Sequence, residues 1–385
     1  MKKKILIAGP IGDFGGRELE VNIIANALKS DFDVSVLSTG YMTGHSFALK
    51  NLNSIKWESV PKKIISKNFL LFFLSFFTKI VNRGKLKNYA YLKNSISKKL
   101  FDLDKLYQNE IEKQIKESDL VLLCVQLTSK FLPEIVSFCE RRNIPCLVRT
   151  TGTIREVSIL DLSFLKKVSM FIHHSEKNAY NLNKQINLPY IIIDQCALNE
   201  DKFLASEIKL NKDLRFGYLG RLTSEKGILP TAEFFSKTNL PFVIAGDGNQ
   251  KKELLEIIAD KSNCKFMGSL INENLNLFFN EIDVLVIPSY EESGPLVGLE
   301  AMAAGKIIIS TKVGAMEERL NKLHCFWFQI EDLSTLELAI RQVLSLNESE
   351  RLMISKHNRE RYLDYYSIAS ITEKYLESLN KIKSF

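Results

Sequence analysis

The chain has 385 residues, of which 45% are apolar and 25% charged, and a formal net charge of +7. That composition excludes wholesale disorder, and the length accommodates two domains of ordinary size. No stretch offers the roughly 18 apolar residues needed to span a bilayer. The start, MKKKILIAGP, has an apolar run only at residues 5–8, too short for a secretion signal. The cysteines at 124, 139, 146, 196, 264 and 325 form no Cys-x-x-Cys pair or Cys/His cluster. They read as reduced thiols of a cytoplasmic protein, without zinc or disulfide.

Residues 4–8 read as a buried strand, 9–16 as a glycine-rich loop, 18–29 as a helix and 34–37 as the next strand. Such a unit invites a dinucleotide reading, which fails twice. The glycines at 9, 12, 15 and 16 do not fit G-x-G-x-x-G, and the second strand ends in Ser38-Thr39-Gly40, with no acid to hold an adenosine ribose. Strands at 120–125, 146–148 and 171–174 follow, with helices at 131–141 and, after an N-cap at Ser175, to about 186. The pair His173 and His174, closing a strand, reads as structural.

Between them, residues 50–113 differ in character. Residues 69–77 read FLLFFLSFF, set among many lysines and few acids. Two readings fit. One is a core helix of the first domain with solvated lysines at its ends. The other is peripheral contact with an anionic membrane through about 60–99, where rings enter the headgroup region and lysines meet lipid phosphates.

The segment 194–203 ends the first half, and a domain boundary is expected near residue 205. The pattern then restarts, with strands at 215–219, 242–245, 265–267, 284–287, 307–310 and 325–328 separated by helices, and a last helix at about 368–382. Alternation of this kind predicts an α/β fold of two Rossmann-like, doubly wound parallel-sheet domains, 1–205 and 206–385. Ligands of such sheets bind at the carboxyl ends of the strands.

One stretch concentrates the chemistry: residues 283–305, DVLVIPSYEESGPLVGLEAMAAG. An apolar strand leads into a polar loop. Pro295 stands where a helix begins, expected at its first position, and Gly305 closes that helix. The unpaired amides of Gly294, Leu296 and Val297 at the helix start form a site for an anion such as phosphate. Glu292 before it and Glu300 within the helix are acceptors suited to vicinal diols. Diols on both sides of a phosphate describe a nucleotide sugar.

Glu292 and Glu300, with seven residues between them, in a Pro-Ser-x-x-Glu-x-Gly context and followed by Ala-Met-Ala-Ala-Gly, resemble the signature of retaining glycosyltransferases of the GT-B fold, the family-four or group 1 type. Arg221 and Lys226, in GRLTSEKG, resemble that family's diphosphate clamp. The resemblance implies two domains facing across a cleft, with the last helix, about 366–385, packing back on the first domain. It implies a donor site of Gly16, Arg221, Lys226, Gly268, Glu292, Ser293, Gly294, Pro295, Leu296, Val297 and Glu300, in which Glu292, Arg221 and Lys226 act in catalysis. Gly15-Gly16-Arg17-Glu18 would lie across from the donor phosphates, near the acceptor, and the base would stack near Met267 and Gly268. The chain departs from the pattern where many members carry histidines, having Gln126 and Thr151 instead.

The expected activity is sugar transfer from a UDP- or GDP-linked donor to a saccharide or lipid-linked acceptor, in surface polysaccharide or glycolipid assembly. It would proceed with retention, at the inner face of a cytoplasmic membrane, with no cofactor and no nucleic-acid partner. No metal is expected: Asp31-Phe32-Asp33 precedes its strand rather than following it, and Asp102-Leu103-Asp104 lies in a helix-like region. Three other readings stay open: a nucleotide-sugar epimerase of similar fold, a phosphorylase with lysine-bound pyridoxal phosphate, and a non-catalytic nucleotide-sugar-binding protein.

Overall fold

The computed structural model describes residues 2–155, 161–321 and 323–382. The chain divides into two compact units. The first holds Met1–His173, Ala179–Ile193 and the segment from Thr372 onward; the second holds His174–Asn178 and Asp194–Ile371. Residues 194–205 thus lie with the second unit.

The first unit is built on a parallel sheet of β1 (Lys4–Gly9), β2 (Asp33–Ser38), β3 (Lys56–Ser59), β4 (Leu120–Val125), β5 (Cys146–Thr150), β6 (Met170–His173) and β7 (Tyr190–Ile192). Their order across the sheet is β3-β2-β1-β4-β5-β6-β7. β1 and β4 are almost wholly buried apolar runs, as central parallel strands covered on both faces must be. Sequence periodicity misses β3 and β7, which are short edge strands with polar or half-exposed residues.

In this sheet's interior, Arg149 on β5 forms an ion pair at 2.9 Å with Glu20 of the helix Gly16–Leu28. Tyr375, in the last helix Ile368–Ile382, donates its hydroxyl to the same carboxylate at 2.8 Å. All three side chains are buried, so the charge of Arg149 is matched where water cannot reach it.

The second unit contains β8 (Phe216–Leu219), β9 (Phe242–Ala245), β10 (Cys264–Phe266), β11 (Val284–Ile287), β12 (Ile307–Ser310) and β13 (Phe326–Trp327), ordered β10-β9-β8-β11-β12-β13. Alternate residues of β11 feed two cores: Val284 and Val286 pack on one face, Leu285 and Ile287 on the other. The order reverses where β8 neighbours β11, the topological switch point at which such sheets take ligands.

The helix Phe69–Val81 follows Val60–Lys67 after a bend of 116°. Only Leu71 and Ser75 of its side chains are buried, and its five phenylalanines are exposed. The core-helix reading therefore does not hold for this segment. Among the described residues, no single helix is long and apolar enough to cross a membrane.

Candidate functional site

At the carboxyl edge of the second sheet, the loops after β8 and β11 are fastened together. The amide of Tyr290 donates to the carbonyl of Glu225 at 2.9 Å. Gly227 adopts φ 65°, and a Cβ there would lie 2.1 Å from the Pro288 carbonyl oxygen, so neither the backbone conformation nor the space admits a side chain. This contact brings Lys226 to Glu292, whose Oε1 takes the lysine ammonium and also accepts from the Ser289 hydroxyl at 3.2 Å. The side chains of Lys226 and Glu292 are only 13% and 16% exposed. Arg221 differs. Its side chain is 70% exposed and paired with Glu225 at 3.3 Å, so it is a solvent-facing cation.

The loop bearing Arg221 rests in turn on the loop after β9: Leu222 donates to the Asp247 carbonyl and Gln250 to that of Leu222, each at 2.9 Å. Beyond β10, Gly268 sits at φ 76° with open space beside its Cα. The Tyr218 hydroxyl donates to the Arg221 carbonyl at 2.6 Å, and burial, then the nearby Glu292 charge, push its pKa up.

After Glu292, the half-buried Ser293 and Gly294 lead into the helix Leu296–Ala303. Pro295 is the N-cap, with φ −64° and ψ 116°, one position earlier than the sequence suggests. Its extended ψ places it just outside the helix, where its fixed φ still suits the entry. Among the described residues, no acceptor is found for the amides of Gly294, Leu296 and Val297. They are free to receive an anion, with the helix dipole behind them. Glu300, one turn on, is half-buried with no hydrogen-bond partner for its carboxylate among the described residues, and desolvation raises its pKa to about 7. An unpartnered carboxylate of this kind is ready to accept hydroxyl donors.

Sequence reasoning misses what holds the helix start. Arg319, fully buried, donates from Nε and one terminal nitrogen to the two oxygens of Asp194, both at 2.8 Å, and from the other to the Pro295 carbonyl at 2.6 Å. Burial alone would raise the Asp194 pKa, but the Arg319 charge and hydrogen bonds, with the Gln195 amide, hold it below the usual carboxylate range. Gly294 lies against Arg319, His174 and Gln195: a Cβ there would meet them at 3.0, 3.3 and 3.6 Å. Asp194 and Arg319 are 125 positions apart, and no local pattern joins them.

The remaining candidate, Gly16, opens the helix Gly16–Leu28 in the first unit. The glycine-rich loop before it is held by Glu18, which accepts from the Gly12 amide at 2.6 Å, and by Arg17, which donates to the Pro10 carbonyl at 2.9 Å and to Thr151 at 3.4 Å. Of the two histidines, His173 is buried with Nδ1 2.8 Å from the Thr150 hydroxyl, and burial, then Arg149, lowers its pKa to about 3. Asp102 caps the helix Leu103–Ile115 and Asp104 pairs with Lys130 at 2.6 Å, which accounts for that Asp-x-Asp.

Residues 199–361 match the family described as Glycosyl transferases group 1. An uncharacterised protein in the cps region of Klebsiella pneumoniae is 26% identical over 267 residues, covering 68% of this chain and 61% of that protein. A lipopolysaccharide 1,2-N-acetylglucosaminetransferase of Salmonella typhimurium is 24% identical over 178 residues, 42% of this chain and 47% of that protein. The chain thus spans 61% and 47% of the length of these two curated relatives, less than two thirds of each. Among solved structures, Anabaena HepE in complex with UDP superposes with a TM-score of 0.71 at 15% identity, covering 98% of this chain and 100% of that one. That likeness establishes the GT-B type of fold.

Proposed function

From the match of residues 199–361 to the group 1 glycosyl transferases, we propose that the chain transfers a sugar from a nucleotide donor to a saccharide or lipid-linked acceptor. The observation that carries this is the row of unpaired amides at Gly294, Leu296 and Val297 beside the Lys226–Glu292 pair. A pyrophosphate seated on the amides draws Lys226, and Arg221 swings in from solvent. These donors bind more tightly as negative charge develops on the leaving oxygen, so they lower the barrier and do not merely hold substrate.

Once Lys226 turns to phosphate, Glu292 is free to accept the hydroxyls of the transferred sugar and to stabilise its developing positive charge. Glu300 takes the ribose diol. Transfer proceeds with retention and without a metal, the cations and the helix start doing what a divalent ion would do. The first unit holds the acceptor, in assembly of a surface polysaccharide or glycolipid at an anionic membrane face. The Salmonella relative, by its name, acts on lipopolysaccharide, and the UDP of the Anabaena complex makes a uridine donor the first to try.

The test is a thermal-shift screen of UDP, GDP and their sugars, followed by assay of nucleoside diphosphate release with membrane extract, with and without a chelator. A rise in melting temperature with one nucleotide and chelator-resistant release is expected. Absence of any nucleotide shift overturns the donor assignment, and inversion of the anomeric centre in the product overturns retention.

A further inference from the structure

The helix Phe69–Val81 carries its apolar stripe on the wrong side for a core helix. Phe69, Phe72, Phe73, Phe76, Phe77 and Ile80 recur at the i, i+3, i+4, i+7 spacing of one continuous face, and every one of them is exposed, Phe69 at 77% and Phe77 at 64%. Leu71 and Ser75, one turn apart on the opposite side, fix the helix to the first unit's core. Asn68 caps its start, accepting from the Leu71 amide at 3.1 Å. The stripe is therefore presented outward by a properly anchored helix, and a patch of this size on a soluble protein marks an interaction surface.

Charge identifies the partner. Residues 60–101 contain nine lysines and one arginine and no acid at all. Arg83, Lys85 and Lys87, just past the helix, are exposed, as are Lys98 and Lys99 of the adjoining helix Ser95–Leu100. That helix adds exposed Ile96 and Leu100. Rings flanked by exposed cations suit an interface that is apolar within and anionic at its rim, which is a bilayer with acidic headgroups. Docking on a second copy would bring two such cationic rims together, a repulsive arrangement. At 13 residues the helix is about 20 Å long, well short of a hydrocarbon core of about 30 Å, so it lies in the interface rather than crossing it.

We propose that the helix Phe69–Val81 is an interfacial docking element that lays its outward phenylalanine stripe into an anionic lipid surface. The inference rests on the membrane-face part of the reading above and gives it a structural element. The helix sits in the unit assigned to the acceptor, so docking keeps the protein at the surface where a lipid-linked acceptor resides.

The test uses the full chain without any donor and vesicles of phosphatidylcholine with about one third phosphatidylglycerol. Co-sedimentation is expected with these vesicles and not with phosphatidylcholine alone. It should weaken about tenfold in about 0.5 M salt, where screening is short-ranged. The double variant Phe73→Ser/Phe77→Ser should lose about tenfold in binding while keeping its circular dichroism. Phe73→Trp should shift its emission to the blue on the acidic vesicles only. No binding by the wild-type chain, or binding that the double variant leaves unchanged, overturns the proposal. So does a dimer that the double variant dissociates without any vesicle binding, which would make a second copy the occupant. A nucleotide thermal shift, read separately, distinguishes failure here from failure of the donor assignment.

Discussion

The ammonium of Lys226 rests on the carboxylate of Glu292, joining the loops that follow two neighbouring strands, β8 and β11. Each group neutralises the other in a largely buried setting. On the proposed function, a nucleotide sugar would offer each a better partner, phosphate oxygens for the lysine and sugar hydroxyls for the glutamate. Donor binding should therefore exchange one ion pair for two new contacts.

Lys226→Ala follows directly. It leaves Glu292 without its partner and, on the proposed function, removes a cation from the leaving group. Loss of a charged transition-state contact costs on the order of 2–4 kcal/mol, so turnover should fall by about 100-fold or more. Nucleoside diphosphate release under saturating donor reads this, and unchanged kinetics would remove Lys226 from the reaction.

Glu300 predicts a pH dependence. Its pKa is raised by burial to about 7, so the folded protein keeps a proton that the unfolded chain releases in the ordinary glutamate range. Stability of the unliganded protein accordingly declines as pH rises from that range to about 7. On the proposed function, a ribose diol would donate to the ionised form and favour it. Nucleotide affinity should rise with pH through this window, with proton release on binding. Calorimetry in buffers of different ionisation enthalpy measures that release, and Glu300→Gln should reduce it; release that is the same in the variant assigns the proton to the phosphate alone.

Arg319→Ala strands Asp194 and frees the Pro295 carbonyl inside the protein. Breaking a buried ion pair by removing one partner costs about 3–5 kcal/mol, to be read from urea unfolding monitored by fluorescence. The pair also carries its own pH signature. Because the Asp194 pKa is depressed, its contribution is present above the normal aspartate range and lost as pH falls through and below it. A variant as stable as wild type at neutral pH would show that the pair is dispensable.

Gly227→Ala tests the joint between the loops. The left-handed backbone alone costs about 1–2 kcal/mol for a residue with a side chain, and contact with Pro288 adds to it. Turnover should fall further than nucleotide affinity, since Lys226 is displaced while the amides of Gly294, Leu296 and Val297 stay. Equal loss in both would point to general unfolding.

The central strands and the stretch around Pro295 were legible because their signals are local. Val284–Ile287 is an uninterrupted apolar run, and the glycine, proline and helix formers after it mark a turn and a helix start within a dozen positions. β3 and β7 were not, since an edge strand such as Lys56–Ser59 needs no apolar alternation. Arg319 was invisible for another reason: its partners, Asp194 and Pro295, come from distant segments, and burial of a charge is decided by what folds over it. The helix Phe69–Val81 shows a third limit. Periodicity reveals a stripe but not which side faces the protein, and here two small contacts, Leu71 and Ser75, decide it.

Tyr375 reaches Glu20 across 355 positions of sequence. During translation, the sheet of the first unit and its Glu20–Arg149 pair emerge early, yet the phenol that completes their burial comes only after Asp194–Ile371 of the second unit. The first unit must therefore wait for the second to be synthesised before its interior closes. A truncation before Thr372 would damage the unit made first and leave most of the unit made after it intact.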